Sequence, residues 1–476
     1  VRSQNERSLK LLKTDPLYET FFKEAKDILT AEDRIPEGQL RGQYVYNFWQ
    51  DQRNVRGLWR RTSLASYKSK RPKWQILLNI DKLAKQENEN WVFKGSRCLA
   101  PNYERCLVTL SRGGKDASVV REFDIKTRRF IKDGFVLPEA KNATSWVSEN
   151  EIIVGTDWGE GSLTDSGYPR ILKRWKRGQS LKDAELLYEG KKSSVGSWPV
   201  VIMRPEGSYL FVTEAINFFE SDYYLVESAH QKIKLPVPQD AELVGVFEQQ
   251  VLIKLRSPWA LESEGQKLEF SSGDLLSFSY DDFVKSKAIK RVKSVFRQGK
   301  GMAIQNVEAG RDVIYVSYLE DVVGRISEIR FKSNKWQSRP VPTEDKGSVE
   351  LASVDPFSHL SLIGFESYLD PSQLYLLDSK SNSLSLLREL PARFNSKDLE
   401  VERFKAQSAD GTEVPYFVIH KKGIELNGNN PTLLYGYGGF EVSMVPSYTA
   451  VTGKLWLERG GVYAVANIRG GGEYGP

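Results

Sequence analysis

The feature of this sequence that most limits its fold is a loosely repeated pair of strand-like segments between about Gly42 and Leu390. Each unit has an apolar run, followed by a second run that ends in a turn containing Asp, Lys, Ser or Asn. The apolar runs recur at the spacing of propeller blades, roughly 40–50 residues. They read CLVTL, EIIVG, YLFVT, QVLIK, VIYVS and LSLIG. We therefore predict a β-propeller of about seven units. A pair of β-sandwiches is the competing interpretation.

The two flanks of this region follow different patterns. Residues 1–30 carry apolar side chains at helical spacing, which predicts a helical segment with one packed face. Beyond Leu390, VERFKAQS and VPYFVIHKK predict a hairpin that turns at Asp410-Gly411. PTLLY then predicts a short buried strand, SYTAVTGKLWLERG a helix ending at Gly460, and GVYAVANI another apolar strand. This order is typical of the opening of an α/β sheet.

Three regions follow from these patterns. We expect an N-terminal helical segment over 1–40, a β-propeller over 41–392, and the first part of an α/β domain over 393–476. The helical segment is expected to pack on the α/β domain. A chain of 476 residues is too long for one ordinary core, which agrees with this division.

Composition and charge exclude several kinds of partner. Hydrophobic residues make up 40% and charged residues 27%, as in globular proteins, and the net charge of +6 is small for this length. The densest basic stretch, Arg60–Lys73, comes with no nucleic-acid motif, so we interpret it as a solvated strand pair and expect no nucleic-acid partner. No apolar run is long enough to span a bilayer, and we expect no membrane partner.

The two cysteines, Cys98 and Cys106, bear on the compartment. They could pair across a hairpin, but we expect two free thiols in a reducing compartment, and therefore a cytoplasmic protein. The chain begins at Val1 rather than Met, so a periplasmic location stays open.

The stretch LLYGYGGFEVS, residues 433–443, ends a strand in a loop of three glycines and three aromatic residues. A phosphate-binding loop is one interpretation. The G-x-G-x-x-G template fails, however, because Glu441 occupies the position of the last glycine.

PTLLYGYGGF and GGVYAVANIRGGGEYGP together resemble the prolyl oligopeptidase family of serine peptidases. The order of helical segment, long β region and hydrolase-like sheet is similar to that family as well. The resemblance implies a seven-bladed propeller over the mouth of an α/β-hydrolase domain. It also implies cleavage of short peptides after proline by a Ser-His-Asp triad. The basic-residue-specific oligopeptidases and the dipeptidyl peptidases differ around these motifs.

The resemblance assigns roles to two residues of the glycine loop. Tyr437 matches the family's oxyanion-stabilising tyrosine, and Phe440 matches the aromatic residue that walls the proline pocket. A donor placed in advance lowers the barrier where negative charge develops, and a flat apolar ring suits proline. For Arg469 and Glu473 we favour a structural role in the turn after the last strand over contact with substrate.

The remaining catalytic groups are absent from the sequence. No serine has the G-x-S-x-G pattern, and in α/β hydrolases Ser, Asp and His follow the oxyanion loop in that order. We therefore expect the chain to be a fragment that stops at Pro476 before all three, and to be inactive alone. His230, His359 and His420 are interpreted as surface or loop residues. No metal spacing is present, so neither a metal nor an organic cofactor is expected.

The function predicted from the sequence is a monomeric serine oligopeptidase acting on oligopeptides. The alternative is a non-catalytic propeller scaffold, which would not need residues 431–476. A hydrolase of esters or lipids, or a peptidase that removes dipeptides, also fits the fold. The long β region disfavours the first of these. No acidic pair that could bind an amine was identified for the second.

Overall fold

A computed structural model describes residues 1–228, 231–263 and 265–475 of the chain. His230, predicted to lie on the surface or in a loop, falls outside the described residues. The described backbone consists mainly of β-strands, with short helices at and between the sheets. The helices are α1 Arg2–Lys13, α2 Tyr18–Leu29, α3 Leu64–Tyr67, α4 Ile80–Glu87, α5 Tyr280–Ser286 and α6 Ala450–Leu455, with 3₁₀ turns at Leu181–Asp183 and Leu457–Arg459.

Seven antiparallel sheets of four or five strands follow one another along the described chain. The first three contain β1 Gln39–Arg41, β2 Tyr44–Trp49, β3 Leu58–Ser63 and β4 Gln75–Asn79; β5 Trp91–Cys98, β6 Arg105–Arg112, β7 Ser118–Asp124, β8 Arg129–Phe130 and β9 Val136–Ala140; and β10 Ala143–Ser148, β11 Glu151–Gly155, β12 Ile171–Lys176 and β13 Glu185–Glu189.

The next four sheets repeat this order. The fourth contains β14 Gly196–Arg204, β15 Gly207–Ala215, β16 Ser221–Ser228 and β17 Gln231–Lys234. The fifth contains β18 Glu242–Phe247, β19 Gln250–Lys254, then a separate hairpin of β20 Trp259–Ser263 and β21 Gln266–Phe270, then β22 Leu275–Ser279 and β23 Val292–Phe296. The last two contain β24 Met302–Ala309, β25 Ile314–Glu320, β26 Val323–Lys332 and β27 Lys335–Pro340; and β28 Ser348–Val354, β29 Leu360–Glu366, β30 Gln373–Asp378 and β31 Ser383–Glu389.

Each sheet shares an apolar cluster with the next, and the seventh shares one with the first. In the closing cluster, Leu40 and Val45 pack with Leu362 and Leu376. The backbone N–H of Leu40 donates to Ser353 Oγ at 2.8 Å across the same junction. The sheets therefore form a closed ring, and the predicted mainly-β propeller fold is confirmed.

The ring explains why the apolar runs in the sequence are continuous rather than alternating. In β6, consecutive residues 106–108 are all buried, and the same holds for residues 250–253 of β19. A middle strand has a neighbouring sheet on each face, so both sets of its side chains must be apolar or paired. This double burial produced the sequence signal on which the propeller prediction rested.

The two cysteines are joined by a disulfide, so the expectation of two free thiols is wrong. Cys98 on β5 and Cys106 on β6 face each other in the strand register, and their Cα atoms are 3.9 Å apart. Arg41 Nη1 donates to Cys98 Sγ at 2.7 Å. Cross-strand register placed the thiols together, and sequence separation alone could not give that register.

Residues beyond the ring form a mixed sheet in the order β32 Leu399–Gln407, β33 Glu413–Lys421, β35 Val462–Ala466 and β34 Thr432–Gly436. The hairpin and the last strand match their predictions, whereas the predicted helix is divided into α6 and the 3₁₀ turn Leu457–Arg459, which Gly460 caps. The expectation of a buried strand at PTLLY is wrong. Within the part of the chain that the structure describes, β34 is an edge strand that pairs only with β35, and all its residues are exposed.

The helices at the start of the chain contact the mixed-sheet region. α2 packs against α6, and Arg459 forms an ion pair with Glu24 at 2.9 Å. α1 has no buried residue. None of the described helices is both long and apolar enough to cross a bilayer.

Candidate active site

Two glycine-rich loops leave the same edge of the mixed sheet. The first glycine loop, residues 436–443, follows β34, and the second glycine loop, residues 468–475, follows β35. The two strands run parallel and pair in register from Thr432 with Val462 to Gly436 with Ala466. Parallel neighbours end at the same edge, so the two loops meet there.

The loops touch backbone to backbone, and glycine is what permits this contact. A Cβ at Gly438 would lie 2.2 Å from the carbonyl oxygen of Arg469, and one at Gly470 would lie 1.9 Å from the carbonyl oxygen of Gly438. Real Cβ atoms do not approach backbone that closely. Gly470 also has φ +92°, a conformation that disfavours other residues. The backbone N–H of Glu441 donates to Gly470 O at 3.0 Å and joins the loops further.

Tyr437 and Phe440, the two predicted site residues, both lie on the first glycine loop and reach solvent. Tyr437 is 39% exposed and Phe440 is 86% exposed. The Tyr437 hydroxyl lies over Gly439, where an added Cβ would be 2.9 Å from it. Among the described residues this hydroxyl has no hydrogen-bond partner. It is therefore free to donate to a bound group, as an oxyanion donor must be.

Glu473 accepts hydrogen bonds that hold the segment next to the two glycine loops. Its side chain is buried, and its Oε1 accepts from the Met444 backbone N–H at 2.7 Å and from Asn467 Nδ2 at 3.0 Å. Asn467 Nδ2 also donates to Met444 O at 2.7 Å. These bonds satisfy buried polar groups and fix the segment after the first loop. The structural role favoured for Glu473 agrees with this placement.

Arg469 ties the second glycine loop to the hairpin turn. Arg469 Nη1 pairs with the Asp410 carboxylate, and Nη2 donates to Ser408 Oγ at 3.1 Å. Hydrogen bonds from the Thr412 backbone and from Arg469 lower the pKa of Asp410 to about 2. Both side chains are exposed. Both described partners of Arg469 therefore belong to the hairpin turn.

A cavity of about 400 Å³ separates the first glycine loop from the fourth, fifth and sixth sheets. Its propeller wall includes Phe218, Phe219 and Arg256, and its opposite wall includes Glu441 and Ser443. Arg256 forms an ion pair with Glu441 across the cavity. Ser443 Oγ also donates to Gln305 Oε1 at 3.1 Å. The loop that carries Tyr437 and Phe440 is therefore held by the propeller as well as by its own sheet.

A larger cavity of about 910 Å³ lies between the first four sheets and the seventh. Strands β5, β10, β14 and β28 contribute lining residues, including Ser96, Thr144, Trp198 and Ala352. Its wall mixes polar and aromatic side chains. This volume lies within the range of ligand-binding cavities in proteins.

His420 does not lie on the surface or in a loop, so that expectation is wrong. It is buried on β33, with Nε2 2.8 Å from Glu402 Oε2 on β32 and Nδ1 2.9 Å from the Lys421 carbonyl oxygen. Burial by itself lowers the pKa of His420, but these two hydrogen bonds outweigh it and raise the pKa above its usual value. His359 lies in a bend next to β29, as expected, 2.8 Å from Asp312 Oδ2.

The sequence did not predict the contacts between residues that are far apart along the chain. Arg256 and Glu441 are 185 positions apart, and no local pattern marks either as a partner of the other. Glu473 was visible as part of a glycine motif, but its burial depends on Asn467 and Met444. Within the described residues, no group of three or more His, Cys, Asp or Glu side chains is arranged to hold a metal ion.

Comparison with known proteins shows that the chain is similar to peptidases. Residues 1–389 match the family model described as prolyl oligopeptidase, N-terminal beta-propeller domain. An uncharacterized peptidase of Sinorhizobium fredii is 38% identical over all of this chain and 66% of its own length. One of Rickettsia prowazekii is 30% identical over all of this chain and 67% of its length. The chain thus spans about two thirds of these curated relatives.

A solved structure agrees with these matches. The structure of a post-proline cleaving enzyme from Rickettsia typhi superposes with a TM-score of 0.87 at 29% identity. The match covers all of this chain and 70% of the other.

Proposed function

The chain belongs to the prolyl oligopeptidase family, and from this premise we propose that the whole protein is a serine peptidase that cleaves short peptides after proline. The whole protein here means the polypeptide that carries these 476 residues. One observation carries the proposal. The first glycine loop carries a tyrosine hydroxyl without a hydrogen-bond partner among the described residues and an exposed phenylalanine, and the same loop lines a cavity whose other wall is the propeller.

In the proposed reaction, Tyr437 stabilises the tetrahedral intermediate. A serine hydroxyl attacks the carbonyl carbon of the scissile bond, and a histidine takes the serine proton and passes it to the leaving amine. The carbonyl oxygen becomes negative and accepts a hydrogen bond from the Tyr437 hydroxyl. Such a donor contributes roughly 3–4 kcal/mol when it is fixed in advance. The backbone contact of the two loops fixes the segment that carries Tyr437.

The preference for proline is assigned to Phe440. A proline residue presents a flat apolar ring and has no N–H, so an aromatic wall binds it without leaving a donor unpaired. Phe440 is more exposed than Tyr437 and lies three positions after it in the same loop. The post-proline cleavage named for the Rickettsia typhi enzyme supports the same preference here.

The propeller is proposed to select substrates by size. A cavity of about 910 Å³ is much smaller than a folded domain, so we expect it to admit extended peptides and to exclude folded proteins. The serine, aspartate and histidine are predicted to follow Pro476 in that order, as in other α/β hydrolases. Their positions stay a prediction, as does the inactivity of the 476 residues alone.

The test is a cleavage assay on the whole protein with three fluorogenic peptides that differ in the residue before the scissile bond. We expect the proline peptide to be cleaved with the largest kcat/KM, and the alanine and arginine peptides at least about tenfold more slowly. A fluorophosphonate should label a serine and abolish activity. Equal rates for the three peptides would remove the proline preference. Absence of both cleavage and labelling would leave the non-catalytic scaffold as the better description.

Location and oligomeric state are separate proposals. The cytoplasmic prediction rested on free thiols, and the disulfide between Cys98 and Cys106 removes that support. A disulfide persists more readily in the periplasm, which was the stated alternative. Cell fractionation with an antibody to the protein distinguishes the two compartments. Light scattering of the purified protein tests the predicted monomer.

A further inference from the structure

An ion pair links the fifth sheet of the propeller to the first glycine loop. Arg256 lies just after β19, and its Nη2 contacts Glu441 Oε1. The Arg256 guanidinium also lies over the Phe219 ring, 4.3 Å from its centroid. The ring and the carboxylate together restrict where this guanidinium can be.

The loop residues on the other side of this contact have an unfavourable backbone conformation. Phe440 has φ +55° and Glu441 has φ +56°, in the left-handed region. Residues with a bulky side chain rarely adopt it, and two in succession need support from their surroundings. The hydrogen bond from Glu441 N–H to Gly470 supplies part of that support on the backbone side. The ion pair with Arg256 supplies the rest of that support, through the side chain of Glu441.

A contribution to global stability does not account for this pair. Arg256 is 31% exposed and Glu441 is 40% exposed, and ion pairs with such exposure change overall stability very little. A local effect is different, because a small energy is enough to shift the population of one loop conformation among several. The residue whose position depends most directly on this conformation is Phe440.

We infer that Arg256 is a positioning residue contributed by the propeller. Its ion pair with Glu441 holds Phe440 and Glu441 in their left-handed conformation, and so sets the direction in which the Phe440 ring leaves the loop. The inference rests on the proposed function, since it treats Phe440 as the wall of the proline pocket. It goes further by giving a propeller side chain control over that wall.

The first test is kinetic and uses the whole protein with the proline peptide. We expect Arg256→Ala to raise KM about fivefold and leave kcat within about twofold, because a misplaced wall weakens binding more than chemistry. Arg256→Lys should restore most of the loss. Glu441→Gln should match Arg256→Ala, and the double variant should be no worse than either single one. Lys254→Ala is the matched control, since Lys254 lines the same cavity but pairs with Glu242.

The dependence of KM on salt concentration gives a further kinetic test. A half-exposed ion pair is screened as ionic strength rises. The KM of the unaltered protein should therefore rise between about 0.05 and 0.5 M NaCl, and that of Arg256→Ala should stay nearly constant.

The second test does not need activity. Hydrogen exchange of the backbone amides of residues 439–444 should be about fivefold faster in Arg256→Ala than in the unaltered protein or in Lys254→Ala. Unchanged exchange would overturn the inference. Faster exchange with an unchanged KM would also overturn it, because the loop would then move without affecting binding. If the unaltered protein cleaves no peptide, the proposed function fails, and exchange alone decides whether Arg256 orders the loop.

Discussion

The propeller and the mixed-sheet region differ in how far their β-strands are buried. In the propeller, middle strands are buried on both faces, and the ring closes on itself so that each sheet is covered by two others. In the mixed sheet, β34 is an exposed edge, and the adjoining loop holds two residues in the left-handed region. The propeller concentrates buried apolar packing, whereas the mixed sheet leaves an edge strand and the side chains of Tyr437 and Phe440 exposed.

The largest expected effect comes from shortening the same residue type in the two regions. Leu107 on β6 is 1% exposed, and Leu434 on β34 is 70% exposed. Leu107→Ala should lower the free energy of unfolding by about 3–5 kcal/mol, because it leaves a cavity in a packed cluster. Leu434→Ala in the 476-residue chain should change it by less than about 0.5 kcal/mol. Urea denaturation followed by tryptophan fluorescence measures both.

The same pair of variants also tests whether β34 is covered in the whole protein. A cost above about 2 kcal/mol for Leu434→Ala there, and not in the 476-residue chain, would mean that another segment packs on this strand. Equal small costs in both would mean that β34 stays an edge.

The next effect concerns chemistry rather than stability. Tyr437→Phe in the whole protein should lower kcat by about 100-fold or more and leave KM nearly unchanged, because the hydroxyl acts only on the developing oxyanion. Tyr435→Phe is the matched control, since Tyr435 is an exposed tyrosine two residues earlier on β34. A loss below about threefold for Tyr437→Phe would remove this residue from the proposed mechanism.

The disulfide should produce a smaller effect, confined to the propeller. Cys98 and Cys106 are 8 positions apart in the sequence. By the chain-entropy relation, a closed loop of this size contributes roughly 2–3 kcal/mol. Calorimetry with and without a reductant should show a lower melting temperature after reduction. The variant with serine at both positions should melt at the lower temperature under either condition. If the reductant has no effect on the unaltered protein, the thiols are not paired in solution.

The smallest effect is a pH dependence at the hairpin that carries His420. Its pKa is raised in the folded protein by contacts with Lys421 and Glu402, while Glu400 lies 3.8 Å away. A raised folded pKa stabilises the protein fully below the unfolded value of about 6.5, and this contribution is lost as pH rises through the folded value. The free energy of unfolding should therefore fall more between pH 5.5 and 8.5 in the unaltered protein than in His420→Gln. Parallel pH profiles would contradict this assignment.

Particular elements show how far the sequence could be used. The apolar runs around residues 107, 152, 210 and 252 all fall on buried strands, because double burial leaves a continuous apolar signal. The hairpin turn at Asp410-Gly411 and the helix end at Gly460 could be predicted locally, because Asp-Gly favours a tight turn and glycine favours a helix C-terminus. The exposure of β34 could not be predicted in this way, because PTLLY is as apolar as a buried strand and exposure depends on which neighbours are present.

By itself the sequence determined the periodicity of the propeller, the order of the regions and the two glycine motifs with Tyr437 and Phe440. Each of these depends on local spacing, which the chain carries along its length. Tertiary structure alone decided that Cys98 meets Cys106, that His420 is buried against Glu402, and that Arg256 reaches Glu441. The physical reason is strand register and sheet closure, which bring distant residues together through the summed packing of many side chains rather than through any short pattern.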